Sequence, residues 1–195
     1  MLDRGLFWSP VPDWSRATIQ HDGLNIAAVA PQVAWLVSGN LVAFLERRGV
    51  RFGDAGERYA LRLAPDRLLF VSIDGAATDG MMFGWSEDGC AITDVSDGYV
   101  LLDITGPLAL DLMRLGALHD FEANPDTGSA AMLFAGQRVI LACIQQGWRL
   151  HVERHNAAAI WQWLQRAASE WAKPPADDSG RSNSSHIHTE QQVAS

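Results

Sequence analysis

Short apolar-rich stretches bounded by turn residues recur along the chain and predict β-strands. An Ala64-Pro65-Asp66 turn separates two of them and Gly136-Gln137 joins two others, so both pairs are expected to form antiparallel hairpins. The predicted strands are Leu24 to Val29, Tyr59 to Leu63, Arg67 to Ile73, Tyr99 to Ile104, Ala131 to Ala135, Arg138 to Ile144 and Trp148 to Val152.

One longer amphipathic helix is predicted after the last strand, over about His155 to Ala172. Ile160, Leu164, Ala167 and Trp171 recur there at helical spacing, and polar residues fill the opposite face. Asn156 is the expected N-cap, because its side chain can accept from a free amide of the first turn.

Two segments of the chain share one internal pattern, Trp35 to Gly49 and Leu102 to Gly116. Each has an apolar strand, a hydroxyl residue, a glycine, a short apolar helix and a closing glycine ten positions after the first. Ser38 and Thr105 are predicted to cap the helix starts, and the closing glycines to adopt the left-handed cap. The pattern indicates an α+β fold of two related βαβ-type halves, each an antiparallel sheet with helices on one side. Chance similarity between two strand–turn–helix units is the alternative.

The chain divides into three parts by composition. Residues 1–20 form a predicted extended arm, since Leu6 to Trp14 carries two prolines and two tryptophans. Residues 21–172 form the folded domain, with halves at about 21–90 and 91–172. Residues 173–195 have almost no apolar groups and are predicted to be a disordered tail.

The charge balance excludes several classes of partner. The net charge is −8 and the pI about 5.1, which argues against nucleic acid and against an anionic membrane surface. No apolar run reaches the roughly 20 residues of a membrane span, and the N-terminus does not resemble a secretory signal. Cys90 and Cys143 are expected to be reduced core thiols, which favours the cytoplasm.

Eight tryptophans are many for a chain of 195 residues. Tryptophan is enriched where proteins meet, so Trp8, Trp14, Trp161 and Trp163 are the predicted partner-contact residues. A tryptophan-rich core is the alternative.

No complete active site is visible in the sequence. The phosphate-binding and dinucleotide motifs are missing, and His186 and His188 have no neighbours that would complete a metal site. His151 and His155 flank Glu153, but the first is expected to end a strand and the second to begin the helix. Cys90 lies among acidic residues, which oppose a thiolate, so a structural role is favoured. Asp94 and Asp97 around Ser96 are a carboxylate pair for which turn and capping roles are the commoner use. We therefore predict no catalytic, cofactor-binding or metal residues.

The segment Thr93-Asp94-Val95-Ser96-Asp97, followed by Tyr99 to Thr105 and Gly106-Pro107, resembles the gamma subunits of heterotetrameric sarcosine oxidases. The resemblance extends upstream to Arg62 to Leu69 and downstream to Arg154 to Leu164, so it spans residues 35 to 172.

This resemblance implies a fold like the N-terminal folate-binding-like domain of the glycine cleavage aminomethyltransferase. It implies alpha, beta and delta partner subunits that carry FAD, FMN, NAD, zinc and tetrahydrofolate, with no cofactor on this chain alone. Such a complex oxidises sarcosine to glycine and yields hydrogen peroxide with formaldehyde or 5,10-methylenetetrahydrofolate. The chain itself is then expected to be a non-catalytic gamma subunit.

Two alternatives stay open. The chain could be a stand-alone folate-binding or aminomethyltransferase-like protein of the same fold, or a subunit of a related complex that oxidises or dehydrogenates another N-methylated amino acid. It lacks the Asn-Gly-Gly-type loop of the aminomethyltransferase and the Lys-Gly-Cys-Tyr-x-Gly-Gln motif of related folate proteins. Both departures weaken the case for independent folate binding.

Overall fold

The computed structural model describes residues 11–29, 33–53, 55–74, 83–118, 120–121 and 129–171. The predicted tail and the first ten residues of the predicted arm lie outside these ranges. The strands are β1 Thr18–His21, β2 Leu24–Val29, β3 Val33–Gly39, β4 Arg58–Ala64, β5 Arg67–Ser72, β6 Gly84–Trp85, β7 Cys90–Asp94, β8 Tyr99–Thr105, β9 Ser129–Phe134, β10 Gln137–Ile144 and β11 Gly147–Glu153. The helices are α1 Leu41–Arg48, α2 Ala109–Gly116 and α3 Arg154–Trp171, and a single 3-10 turn covers Ser96–Gly98.

The strands form two antiparallel sheets. The large sheet has six strands in the order β1-β2-β8-β11-β10-β9, and the small sheet has five in the order β4-β5-β3-β7-β6. The α+β class with antiparallel sheets is therefore confirmed. The turn at Pro65 and Asp66 joins β4 to β5 as predicted, whereas the β9–β10 turn lies at Ala135 and Gly136, one residue earlier than expected.

The two sheets stack face to face between helices, which gives four layers. Helices α2 and α3 cover the outer face of the large sheet through an apolar cluster that includes Leu112, Ile160 and Leu164. Helix α1 covers the outer face of the small sheet, with Phe44 fully buried. The inner faces meet through a third cluster, whose buried members are Ala34, Tyr59, Leu61, Leu69, Val71, Leu101, Ile140 and Ala142.

The hairpin that precedes each copy of the internal pattern pairs with the strand of the other copy. The β1–β2 hairpin precedes β3 in sequence but pairs with β8 in the large sheet, and the β6–β7 hairpin precedes β8 but pairs with β3 in the small sheet. The two sheets are therefore tied together by chain crossings as well as by packing.

The glycines of the internal pattern stand at these crossings. Gly39 and Gly106 have φ of 110° and 105°, a conformation that side chains disfavour. A Cβ at Gly39 would collide with the carbonyl oxygen of Gly89, and a Cβ at Gly106 with that of Gly23. Both collision partners lie in hairpin turns, so each glycine allows the exchanged hairpin to approach the strand end closely.

The helix caps differ from those predicted. Asn40, not Ser38, caps α1 by accepting from the Ala43 amide at 3.3 Å. The hydroxyl of Thr105 donates to the Asn25 carbonyl at 3.3 Å, and α2 has no side-chain cap. Gly49 adopts the left-handed cap as predicted, with φ 62°.

Two further helix-end predictions were wrong. Gly116 is not a left-handed cap, since it is the last residue of α2 and a Cβ there would collide with the Phe134 ring. Asn156 is not an N-cap, because α3 begins two residues earlier, at Arg154. The division into halves at residue 90 stays a prediction.

Candidate functional site between the sheets

Four polar side chains lie in the layer between the two sheets: Tyr59, Asp103, Arg149 and His151. Asp103 on β8 pairs directly with Arg149 on β11, and His151 follows two residues later on the same face of that strand. Tyr59 reaches them from β4 of the small sheet. We call this set the inter-sheet network.

An ion pair anchors one end of the network. The Nε of Arg149 donates to one carboxylate oxygen of Asp103 at 2.6 Å and the Nη2 to the other at 2.8 Å. The two side chains are only 9% and 18% exposed. Burial disfavours the charge of Arg149, but the hydrogen bonds to Asp103 and Tyr59 outweigh it and raise the pKa of the guanidinium further. This bidentate geometry is the strong form of an arginine–carboxylate contact.

The direction of the remaining hydrogen bonds follows from the groups present. The Nδ1 of His151 lies 3.1 Å from the Ile140 carbonyl, which can only accept, so Nδ1 carries the proton. Burial lowers the pKa of His151 to about 3, so the ring is neutral at pH 7 and its Nε2 accepts from the Tyr59 hydroxyl at 2.7 Å. The Tyr59 oxygen in turn accepts from Nη1 of Arg149 at 3.4 Å.

The network is therefore suited to holding the sheets together rather than to proton transfer. Both nitrogens of His151 are engaged, and burial raises the pKa of Tyr59 to about 12, so neither group changes its charge near pH 7. Its hydrogen bonds join β4 of the small sheet to β11 of the large sheet.

Two cavities open on opposite ends of the inter-sheet layer. One of about 860 Å³ meets Arg149 and is lined by the β10–β11 turn, by Thr105 and by residues 55–57. The other, of about 610 Å³, meets His151 and lies between the strands that carry Leu36, Leu63 and Val139. Both volumes fall in the range of small-molecule sites.

The tryptophans predicted to contact a partner pack largely within this chain. Trp14 meets Trp161 edge to face at 5.7 Å, and Trp163 meets Phe134 at 5.2 Å. Trp161 is only 4% exposed, so its side chain belongs to the core beneath α3. Trp8 lies outside the described residues, and Trp14 and Trp163 are half-buried.

The other candidate residues are placed as ordinary structural groups. His151 lies in β11, two residues before its end, and His155 is the second residue of α3, so the strand–helix boundary falls between them as predicted. His155 is exposed, and its ring lies 3.4 Å from the Glu153 carboxylate. Cys90 is buried and its thiol donates to the Asn40 carbonyl at 3.0 Å. Asp94 accepts from the Ser96 amide at 2.9 Å, a turn contact. Within the described part of the chain, no group of His, Cys, Asp and Glu is arranged to hold a metal ion.

Cys143 departs from the prediction of a core thiol. It is exposed near the end of β10, beyond the buried residues Val139 to Ala142, and it lines the larger cavity. Partial desolvation by its surroundings raises the pKa of the thiol, so it is less reactive than a free cysteine.

Sequence reasoning missed the inter-sheet network, although a signal was present. Arg149 and His151 alternate with apolar residues in a strand, and Asp103 interrupts an otherwise apolar one. Charged residues at inward strand positions are rarely buried unless they are paired, which would have pointed to a mutual contact.

Comparison with known proteins shows a shared fold. A solved structure of heterotetrameric sarcosine oxidase from Corynebacterium sp. U-96, in complex with pyrrole 2-carboxylate, contains a chain that is 18% identical in sequence, with a TM-score of 0.62. The match covers 82% of this chain and 91% of that chain, so the two are of similar length. No family model matches the sequence. No curated protein sequence matches it either. None of the helices in the described ranges is long and apolar enough to cross a membrane.

Proposed function

We propose that this chain is the small, non-catalytic gamma-type subunit of a sarcosine oxidase-type heteromeric complex. The single observation that carries the proposal is the fold match to a chain of similar length within a heterotetrameric sarcosine oxidase. The resemblance at Thr93 to Pro107 points to the same family independently of the fold.

The inter-sheet network supports a structural role. It is the largest buried polar cluster that the described residues form, and its histidine is neutral with both nitrogens engaged. A catalytic centre needs a group that can gain or lose a proton, or attack, near working pH. As the resemblance to sarcosine oxidase gamma subunits implies, FAD, FMN, NAD, zinc and tetrahydrofolate are assigned in this proposal to the alpha, beta and delta partners.

Exposed aromatic side chains provide the subunit with a surface for contact with such partners. Phe83 and Trp85 are 54% and 72% exposed beside the short edge strand β6. Large exposed aromatic groups are common among the residues that dominate protein interfaces. They join Trp8, Trp14 and Trp163 as positions whose replacement tests assembly.

The assembly test is co-expression of the full chain, with an affinity tag, together with candidate alpha, beta and delta chains. The expected product is a yellow complex that forms hydrogen peroxide from sarcosine. Trp8→Ala and Trp85→Ser should each reduce the amount of co-purified flavoprotein at least fivefold, whereas Trp171→Ala, a partly exposed control at the end of α3, should not. If every variant assembles as well as the wild type, the proposed contact surface is wrong.

The non-catalytic role has its own test in the assembled complex. Tyr59→Phe and Tyr99→Phe should leave kcat for sarcosine within twofold of the wild type, because neither residue is assigned to chemistry. A loss of more than tenfold in kcat at unchanged assembly would instead place catalytic groups on this chain. A panel of other N-methylated amino acids would then identify the substrate class, and tetrahydrofolate titration of the isolated chain would test the stand-alone alternative.

A further inference from the structure

The 610 Å³ cavity at the end of the inter-sheet layer is lined by apolar side chains and by hydrogen-bond donors. Leu36 and Leu63 come from the small sheet and Ile140, on the inward face of β10, from the large one. Arg67, at the start of β5, and Arg138, near the start of β10, bring one guanidinium from each sheet. The cavity therefore lies between two cations that belong to different layers of the molecule.

These cations have no carboxylate partner within the described part of the chain, where the ion pairs at Arg16, Arg47, Arg58, Arg114, Arg149 and His155 involve neither of them. Both arginines are exposed. The half-buried Tyr99 adds a hydroxyl for which no acceptor is present among those same residues, and burial raises the pKa of this phenol, so it keeps its proton.

Two acceptor groups of the cavity wall already have neighbours within this chain. The Nε2 of His151 accepts from Tyr59 at 2.7 Å, and the carboxylate of Glu153 lies 3.4 Å from the His155 ring. The cavity lining thus carries two arginines against one glutamate, in a chain whose net charge is −8. A pocket with free donors, local positive charge and apolar walls is complementary to an anion that carries an apolar body.

We propose that this cavity binds a small carboxylic acid with an aromatic or branched aliphatic body, its carboxylate held by Arg67 and Arg138 and its body packed on Leu36, Leu63 and Ile140. Each carboxylate oxygen takes a donor from a different sheet, with Tyr99 as a further donor at the wall. This site goes beyond the proposed subunit role and does not depend on it.

The test is calorimetric titration of the full chain with naphthalene-2-carboxylate and with its neutral isostere, naphthalene-2-carboxamide. The acid should bind at one site per chain, about tenfold or more tighter than the amide, because charged hydrogen bonds are the stronger ones. Arg67→Gln and Arg138→Gln should each remove most of that preference. Arg51→Gln removes the same charge from an exposed position outside the cavity and should change the affinity less than twofold.

A second variant keeps the test independent of the arginines. Leu133 is 62% exposed at the cavity edge, so Leu133→Glu should fold normally and repel the acid while sparing the amide. Equal affinity for acid and amide, equal effects of Arg51→Gln and Arg67→Gln, or no binding of either compound would overturn the proposal. A chain that assembles with flavoprotein partners but fails this titration leaves the proposed function intact. A chain that binds the acid but does not assemble contradicts the subunit role and leaves the cavity proposal intact.

Discussion

The layer beneath α2 and α3 and the layer between the two sheets are both buried, but they are stabilised differently. The helix-covered layer is apolar, with Leu102, Leu112 and Leu164 fully inaccessible. The inter-sheet layer combines apolar residues with Arg149 and His151, the basic residues that are buried within the described part of the chain. Apolar packing is non-directional, whereas hydrogen bonds constrain distance and angle. The difference indicates that burial holds the helices on, while the network also fixes how one sheet lies over the other.

The largest expected effect comes from breaking the ion pair on one side only. Asp103→Leu leaves the Arg149 charge buried without compensation and should lower the free energy of unfolding by about 4 kcal/mol. Urea denaturation of the full chain measures this loss.

The double variant Asp103→Leu/Arg149→Leu sharpens the same comparison. It removes both charges and should recover most of the lost stability, because an apolar pair of similar volume is often no worse than a buried ion pair. If the double variant is as unstable as the single one, the loss comes from packing and the two layers do not differ in the way described.

The next effect is a pH dependence of the unfolding free energy that originates in the inter-sheet layer. The pKa of His151 is lowered from 6.5 to about 3 in the folded state, so between these values the unfolded chain binds a proton that the folded chain does not. Stability is therefore full above pH 6.5 and falls as the pH decreases towards 3, by roughly 3 kcal/mol from this group by pH 4.

Thermal unfolding between pH 7 and pH 4 measures that slope. His151→Gln should be less stable overall but show a flatter slope, since the amide does not titrate. Leu164→Ala, in the helix-covered layer, should lose about 2–5 kcal/mol at every pH and keep the wild-type slope. Parallel slopes in the wild type and His151→Gln would show that the histidine is not responsible.

The smallest effect is the loss of one hydroxyl. Tyr59→Phe leaves Nε2 of His151 without its donor and should cost about 2 kcal/mol. Tyr99→Phe is the matched control, because its half-buried hydroxyl has no partner among the described residues, and it should change stability by less than about 0.5 kcal/mol. Stability is measured as the urea midpoint, with an unchanged dependence of the unfolding free energy on urea concentration. Equal losses in the two variants would contradict the inter-sheet network.

Local features of the fold were predictable because the physics that sets them is local. The Pro65-Asp66 turn, the left-handed Gly49 and the strand–helix boundary between His151 and His155 follow from residues that are neighbours in sequence. The hairpin exchange was not predictable in this way, since the pairing of β2 with β8 depends on contacts far apart along the chain.

The candidate site was not predictable for the same reason, because its residues lie far apart along the chain. Asp103 and Arg149 are 46 residues apart, and Tyr59 and His151 are 92 apart, so no spacing rule connects them. Trp161, predicted to contact a partner, occupies a core position. Its ring is enclosed by the amphipathic face of α3 and by Trp14 of the arm. Cys143 was expected in the core, but it lies near the end of β10, beyond the four buried residues Val139 to Ala142.

The most direct measurement for the proposed function is native mass spectrometry of the tagged chain after co-expression with candidate flavoprotein partners. A subunit of a heterotetramer should appear in one species that contains one copy of this chain and one copy each of three different partners, with bound flavin. A tagged chain that emerges alone, colourless and at the mass of a monomer, from cells that express all the partners would contradict the subunit role.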